Sequence, residues 1–194
     1  MTADPVELTA TIFGFVAVAL TVKRHIACWP ASLVQVSLYI WVFWKARLYS
    51  DMGLHVVYVA LALYGWINWH RHGVAEGELV VERLTPRTLA GWGGAALAGT
   101  FGLGSLLAAY TDAALPFWDS SIAAMSLIAQ WLTTRKVLEN WLFWIAVDIV
   151  GIGVYLAKDL YPTALLYFVF LLLCLAGWRE WRRAWRGRLA QPGH

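Results

Sequence analysis

Seven apolar runs follow one another along the chain: Leu8–Val22, Ile26–Trp44, Leu54–Trp69, Leu89–Tyr110, Phe117–Thr134, Val137–Ala157 and Tyr161–Trp178. Each approaches the roughly 20 residues a helix needs to cross a bilayer, although the first and third are short. Backbone N–H and C=O groups find no water in lipid, so only segments that close their own hydrogen bonds survive there. No strand-like alternation is visible, which argues against a β-barrel and leaves helices. The expected fold is an all-α membrane protein with seven transmembrane helices. Composition agrees. The 194 residues are 60% hydrophobic and 14% charged, whereas a soluble domain is about half apolar and a quarter charged. Asp4 and Glu7 precede the first apolar run and no cation does, so no cleavable leader is expected. Cys28 and Cys174 lie in or beside apolar runs, with no CxxC or Cys/His cluster. No metal site and no cofactor are therefore expected.

The cations set the orientation. With the N-terminus outside, the inner segments hold Lys23, Arg24, Arg71, Arg83, Arg87, Arg135, Lys136, Arg179, Arg182, Arg183, Arg186 and Arg188, twelve of the fifteen Lys and Arg. Lys45, Arg47 and Lys158 stay outside. Such a split places the C-terminus in the cytoplasm and requires an odd number of crossings. The arginine tail is read as solvated or facing lipid headgroups, with no nucleic acid as partner.

The chain repeats itself. A shift of 112 residues carries Arg24 onto Lys136, Trp29 onto Trp141, Leu48-Tyr49 onto Leu160-Tyr161, Gly65-Trp66 onto Gly177-Trp178, Trp69 onto Trp181 and Arg71 onto Arg183, without a gap. The second run then corresponds to the sixth, four crossings later. An even number of crossings restores the same sense, so the repeats are parallel and related by an axis along the membrane normal. The expected layout is 3+1+3: a first three-helix bundle over residues 8–70, a linking helix over 88–110, a second bundle over 117–180 and a basic cytoplasmic tail over 181–194. Gly91, Gly93, Gly94, Gly99, Gly102 and Gly104 fall in the linking helix, where small residues permit close helix approach. No strand precedes them and their spacing fails the nucleotide-loop fingerprint.

Polar residues at helical spacing mark a candidate cavity between such bundles. Asp148 lies mid-run, and a carboxylate at that depth costs several kcal/mol unless it is paired or faces a wet cavity. Trp141, Trp144 and Asp148 stand at i, i+3 and i+7, one helix face, which Tyr155 continues. The second run supplies Ser32, Gln35 and Tyr39. The fifth supplies Ser120 and Gln130, and the third supplies Tyr58 and Asn68. Buried glutamines also serve as bonds between helices, and Trp141 and Trp144 also suit an interfacial belt. Trp41/Trp44, Trp66/Trp69 and Trp178/Trp181 repeat the WxxW spacing at run ends and are read as belt residues. Glu139 and Asn140 are read as solvated at the inner mouth.

Two stretches carry a resemblance. Leu48–Trp69, LYSDMGLHVVYVALALYGWINW, resembles the third-helix region of the PnuC family of vitamin transporters. Trp118–Asp148, WDSSIAAMSLIAQWLTTRKVLENWLFWIAVD, resembles that family's most characteristic region, with Gln130, Arg135-Lys136 and the Trp141/Trp144 pair. The resemblance runs from about Arg24 to Trp181. It implies a single membrane transport domain over 1–194 with SWEET-like architecture, and no enzyme activity. It implies uptake of nicotinamide riboside across a bacterial inner membrane by facilitated diffusion, with a cytoplasmic kinase trapping the vitamin by phosphorylation. Relatives carry thiamine or riboflavin, and thiamine is the second expectation. The family's substrate region maps onto Trp141 and Trp144. Many members have Asn where this chain has Asp148, so the ligand's hydrogen-bond pattern differs here. The full set of candidate contacts is Trp141, Trp144, Asp148, Gln130, Gln35, Tyr39, Ser32, Tyr58 and Asn68.

The physics suits that substrate. Flat rings stack on tryptophan, and a cationic ring gains about 0.5–2 kcal/mol of cation–π attraction. Ribose hydroxyls need carboxamide partners. A phosphate dianion would need Arg or Lys inside the cavity, and none lies mid-run, so the nucleoside is expected to pass and the nucleotide is not. Other classes fare worse. A retinal protein needs a Schiff-base lysine, which Tyr161–Trp178 lacks. An intramembrane enzyme needs a nucleophile–base pair or a metal cluster at depth. A sugar carrier of the same architecture is the nearest alternative, since sugars also stack on tryptophan, but the Leu48–Trp69 and Trp118–Asp148 stretches favour the vitamin reading. A proton-coupled symporter using Asp148 remains as an alternative mechanism. The sequence sets no oligomeric state, and a homo-oligomer is compatible with it.

Overall fold

Proline and threonine punctuate the helices of this computed structural model, which describes residues 5–47, 49–73, 80–111 and 114–190. The helices are α1 (Pro5–Val22), α2 (Cys28–Ala46), α3 (Tyr49–Gly73), α4 (Pro86–Tyr110), α5 (Pro116–Thr134), α6 (Asn140–Ala157) and α7 (Tyr161–Leu189). Pro86 opens α4 at a position whose N–H has no helical partner anyway, and the Thr85 hydroxyl caps it by accepting from Thr88 N at 3.2 Å. Among the described residues five helices, α1, α3, α4, α6 and α7, are long and apolar enough to cross a membrane. The two less apolar ones are α2, with Ser32, Gln35 and Lys45, and α5, with Asp119, Ser120, Ser121 and Gln130.

The 112-residue register reappears in the backbone. Helices α2 and α6 begin at Cys28 and Asn140, and α3 and α7 begin at Tyr49 and Tyr161, each pair 112 residues apart. Leu48, part of the same register, lies outside the described residues, as do residues 191–194 of the basic tail. The Thr21 hydroxyl donates to Ala17 O at 2.8 Å, and Thr133 does the same to Ala129 O at 2.8 Å. His25 N donates to Leu20 O at 2.9 Å, and Val137 N to Leu132 O at 3.1 Å. The left-handed residues pair off too, Arg24 with Lys136 and Arg47 with Asp159, all with φ of 56° or 57°. A side chain in that region costs roughly 1–2 kcal/mol, so the same local strain stands at corresponding helix junctions.

The chain divides into two compact units, residues 1–80 with 134–136, and 81–133 with 137–194. In the first, α1 packs on α2 and α2 on α3. Gly14 leaves room for the Gln35 amide, whose Nε2 would lie 2.8 Å from a Cβ there. In the second, α6 packs on α7. Ala96 of α4, Ile128, Ala129 and Leu132 of α5, and Val137 and Phe143 join one buried cluster. Of the six α4 glycines, Gly99 faces Ala124 and Gly104 faces the Phe117 ring, whereas Gly91, Gly93, Gly94 and Gly102 meet nothing within 4 Å. Close approach therefore explains only two of the six. The α4 side chains Leu97, Phe101 and Leu106 are exposed, as expected of a surface that meets lipid.

Each unit contains the same aromatic clasp. Trp29 meets Trp69 edge-on with centroids 5.2 Å apart at 90°, and Trp141 meets Trp181 at 5.5 Å and 89°. The Trp29 ring lies against Gly65 and the Trp141 ring against Gly177, where a Cβ would collide with it. All four tryptophans are buried. Trp69 and Trp181 are thus not belt residues: they are the partners that hold the first rings in place. Trp41 and Trp44 are exposed, in keeping with a belt.

Candidate functional site

The second unit carries the α6 candidates, and its packing splits them. Trp141 faces α7, enclosed by Gly177 and Trp181. Asp148 follows two turns later and is only 4% exposed. Cys174 of α7 lies beside its carboxyl, and its Oδ2 has no partner among the described residues. Trp144 sits elsewhere on the helix. It is half-buried, packs against the α4–α5–α6 cluster, and its indole N–H donates to Thr133 Oγ1 of α5 at 3.4 Å. Trp144 and Asp148 still stand one turn apart, as i, i+4 neighbours do. Gln130 is half-buried on α5. Tyr155 continues toward α7, tilted against Tyr167 at 5.0 Å, and Tyr167 fills the space that Gly151 leaves.

The first unit gathers a different group. The Tyr39 hydroxyl and Thr11 Oγ1 are 3.2 Å apart. The ring of His55 lies among Tyr39 at 5.5 Å, Phe43 at 4.9 Å and Tyr58 at 5.6 Å, with its Nδ1 2.9 Å from Asp51 O. Tyr39 and Tyr58, chosen separately from the sequence, are thus joined through a histidine that spacing alone did not select. Ser32 and Gln35 are half-buried on α2. Asn68 donates to Thr134 O at 2.8 Å, so its amide holds a backbone carbonyl. Among the described residues no group of three His, Cys, Asp or Glu could hold a metal ion.

Near the start of α6, Glu139 and Asn140 are not solvated. Glu139 is 1% exposed and Asn140 is fully buried. The Glu139 carboxylate accepts from Arg83 Nε at 3.0 Å and from Leu84 N at 2.9 Å. Leu138 N donates to Glu82 O at 2.9 Å, and the Arg83 guanidinium lies over the Trp185 ring at 4.9 Å. The connector before α4 is strapped to α6 by these bonds. Sequence spacing gave no sign of this, because Arg83 and Glu139 are 56 residues apart.

The family model for the nicotinamide mononucleotide transporter matches residues 4–183. The chain belongs to this family. The nicotinamide riboside transporter PnuC of Escherichia coli is 26% identical over 208 residues, covering 94% of this chain and 87% of the relative. The riboflavin/roseoflavin transporter RibM of Streptomyces davaonensis is 28% identical over 178 residues, covering 90% and 83%. A crystal structure of the vitamin B3 transporter PnuC matches with a TM-score of 0.77 and 26% identity, covering 94% of this chain. This member of the PnuC family is therefore a multi-pass membrane transporter, and the relatives it matches are named transporters rather than enzymes.

Proposed function

We propose that the protein carries nicotinamide riboside inward across a bacterial inner membrane by facilitated diffusion, and that phosphorylation by a cytoplasmic kinase keeps the vitamin inside. The observation that carries this reading is the pairing of Trp144 and Asp148 one turn apart on α6 in a chain of the PnuC family. The Trp144 ring, fixed by Thr133, offers a face for the pyridinium. Asp148 offers a carboxyl oxygen without a partner among the described residues, and Gln130 offers an amide for ribose. Trp141 is given the task of holding α6 against α7 through Gly177 and Trp181. The two triplets, α1–α3 and α5–α7, are proposed to run in the same sense around linker α4, since the repeat spans an even number of crossings. The positive-inside split supports an outer N-terminus and a cytoplasmic C-terminus.

The riboside is favoured over the mononucleotide named in the family's description. Lys and Arg in the seven helices stand in end turns or in the stretch of α7 beyond its apolar run, from Arg179 to Arg188, so no cation waits at mid-depth for a phosphate dianion. Purified protein in liposomes is expected to equilibrate labelled riboside, to concentrate it only when kinase and ATP are enclosed, and to leave the mononucleotide outside. Trp144→Ala should abolish the riboside flux. Equal fluxes of riboside and mononucleotide would overturn the proposal. The RibM relative keeps a second vitamin in view, and riboflavin and thiamine belong in the same assay. A response of uptake to an imposed pH gradient that Asp148→Asn removes would replace facilitated diffusion with proton coupling.

A further inference from the structure

The two repeats differ at one depth in a telling way. The positions of Asp148 and Cys174 correspond, 112 residues earlier, to Val36 in α2 and Ala62 in α3. All four are buried at corresponding places on their helices. An apolar pair therefore fills in the first unit what a carboxyl and a thiol fill in the second. Helix packing at this position does not call for a polar group. The Asp148 carboxyl has Cys174 beside it, and its Oδ2 finds no donor among the described residues. The ion pairs of Arg83 with Glu139, Lys158 with Asp119 and Arg183 with Glu180 do not include Asp148. A carboxylate buried without a cation is costly. Trp144 stands one turn before it, and its ring face attracts positive charge.

We propose that Asp148 makes this carrier select by ring charge. It takes the N-alkylated pyridinium of nicotinamide riboside and rejects the 1,4-dihydro form, which has the same ribose and carboxamide but a neutral ring. The inference deepens the transport reading and rests on it. A cationic ring supplies the counter-charge that Asp148 does not receive among the described residues, while a neutral ring leaves the carboxylate unpaired. Shape and hydrogen-bonding groups are nearly the same in the two ligands, so the difference isolates charge.

Titration calorimetry of the purified protein with the two forms tests it. The wild type should bind the cationic riboside at least about tenfold more tightly than the dihydro form, a difference of about 1.4 kcal/mol. Asp148→Asn should weaken the cation and bring the two within about threefold, and Asp148→Glu should restore the preference. If Asp148→Asn fails to fold, the double variant Asp148→Val with Cys174→Ala copies the first repeat's own packing and carries the same expectation. Equal binding of both forms by the wild type would overturn the inference while the transport reading stood. An unchanged preference in the Asn or Val variant would do the same. Failure of both forms to bind would remove the transport reading and the inference with it.

Discussion

Gly65 and Gly177 show how much one missing carbon decides here. Each sits beneath a tryptophan ring, Trp29 or Trp141, at the spot where a Cβ would collide with it. Interiors are packed densely enough that one extra methyl group is felt. Gly65→Ala and Gly177→Ala are each expected to cost about 1–3 kcal/mol, the range for overpacking a filled core. Thermal midpoints in detergent would show it, and the two variants should behave alike because the two clasps have the same geometry. Gly102→Ala is the control. Nothing lies within 4 Å of a Cβ there, so it should be neutral, or stabilising by up to about 1 kcal/mol from helix propensity. A Gly177→Ala midpoint as high as the control's would deny Trp141 its clasping role. The gapless repeat of Gly-Trp and of the single tryptophans was legible in the sequence. That Trp69 and Trp181 fold inward, not toward headgroups, was not, because tryptophan suits either place.

At the scale of elements, the second unit has a feature with no counterpart in the repeat. Ala27 occupies the first-repeat position of Glu139, so the strap between the connector and α6 belongs to one half alone. Glu139 is almost fully buried, whereas the Arg83 side chain is 45% exposed. The ion pair is therefore screened on one side, and much of the strap's strength lies in the bond from Leu84 N. Glu139→Ala is expected to destabilise by about 1–3 kcal/mol, since it leaves the half-buried Leu84 N–H unmet and removes the partner of Arg83. Hydrogen exchange should locate the loss, with the amides of Leu84 and Leu138 exchanging faster and those of α2 unchanged. Uniform acceleration across both units would contradict a local strap. The partly exposed pair of Lys158 and Asp119, 3.1 Å apart, should matter less, at under about 1 kcal/mol. Most helix limits were readable because apolar runs and prolines mark them, but α3 starts at Tyr49, before its apolar run, and α7 continues to Leu189 through the segment expected as a tail. The strap was not, since it joins segments far apart in the chain through one carboxylate and one backbone N–H.

At the scale of the whole molecule, orientation can be checked directly. Single cysteines placed at exposed Arg186 and at exposed Asp159, in a background without Cys28 and Cys174, are expected to react with a membrane-impermeant maleimide from opposite sides. Arg186→Cys should label only in inside-out vesicles and Asp159→Cys only in intact cells. The reverse pattern would invert the assignment of the charge split. The sequence by itself determined that the chain is helical and membrane-spanning, because apolar length and the need to satisfy every backbone group in lipid admit little else. It also determined the internal duplication, because a gapless register survives in the residues that shape helix ends and ring contacts. Only the tertiary structure decided which side of α6 each candidate faces. It sent Trp141 toward α7 and Trp144 toward α5, because residues three apart on a helix differ by about 60° around its axis, enough for two neighbouring helices to divide them, and Asp148 lies between the two directions.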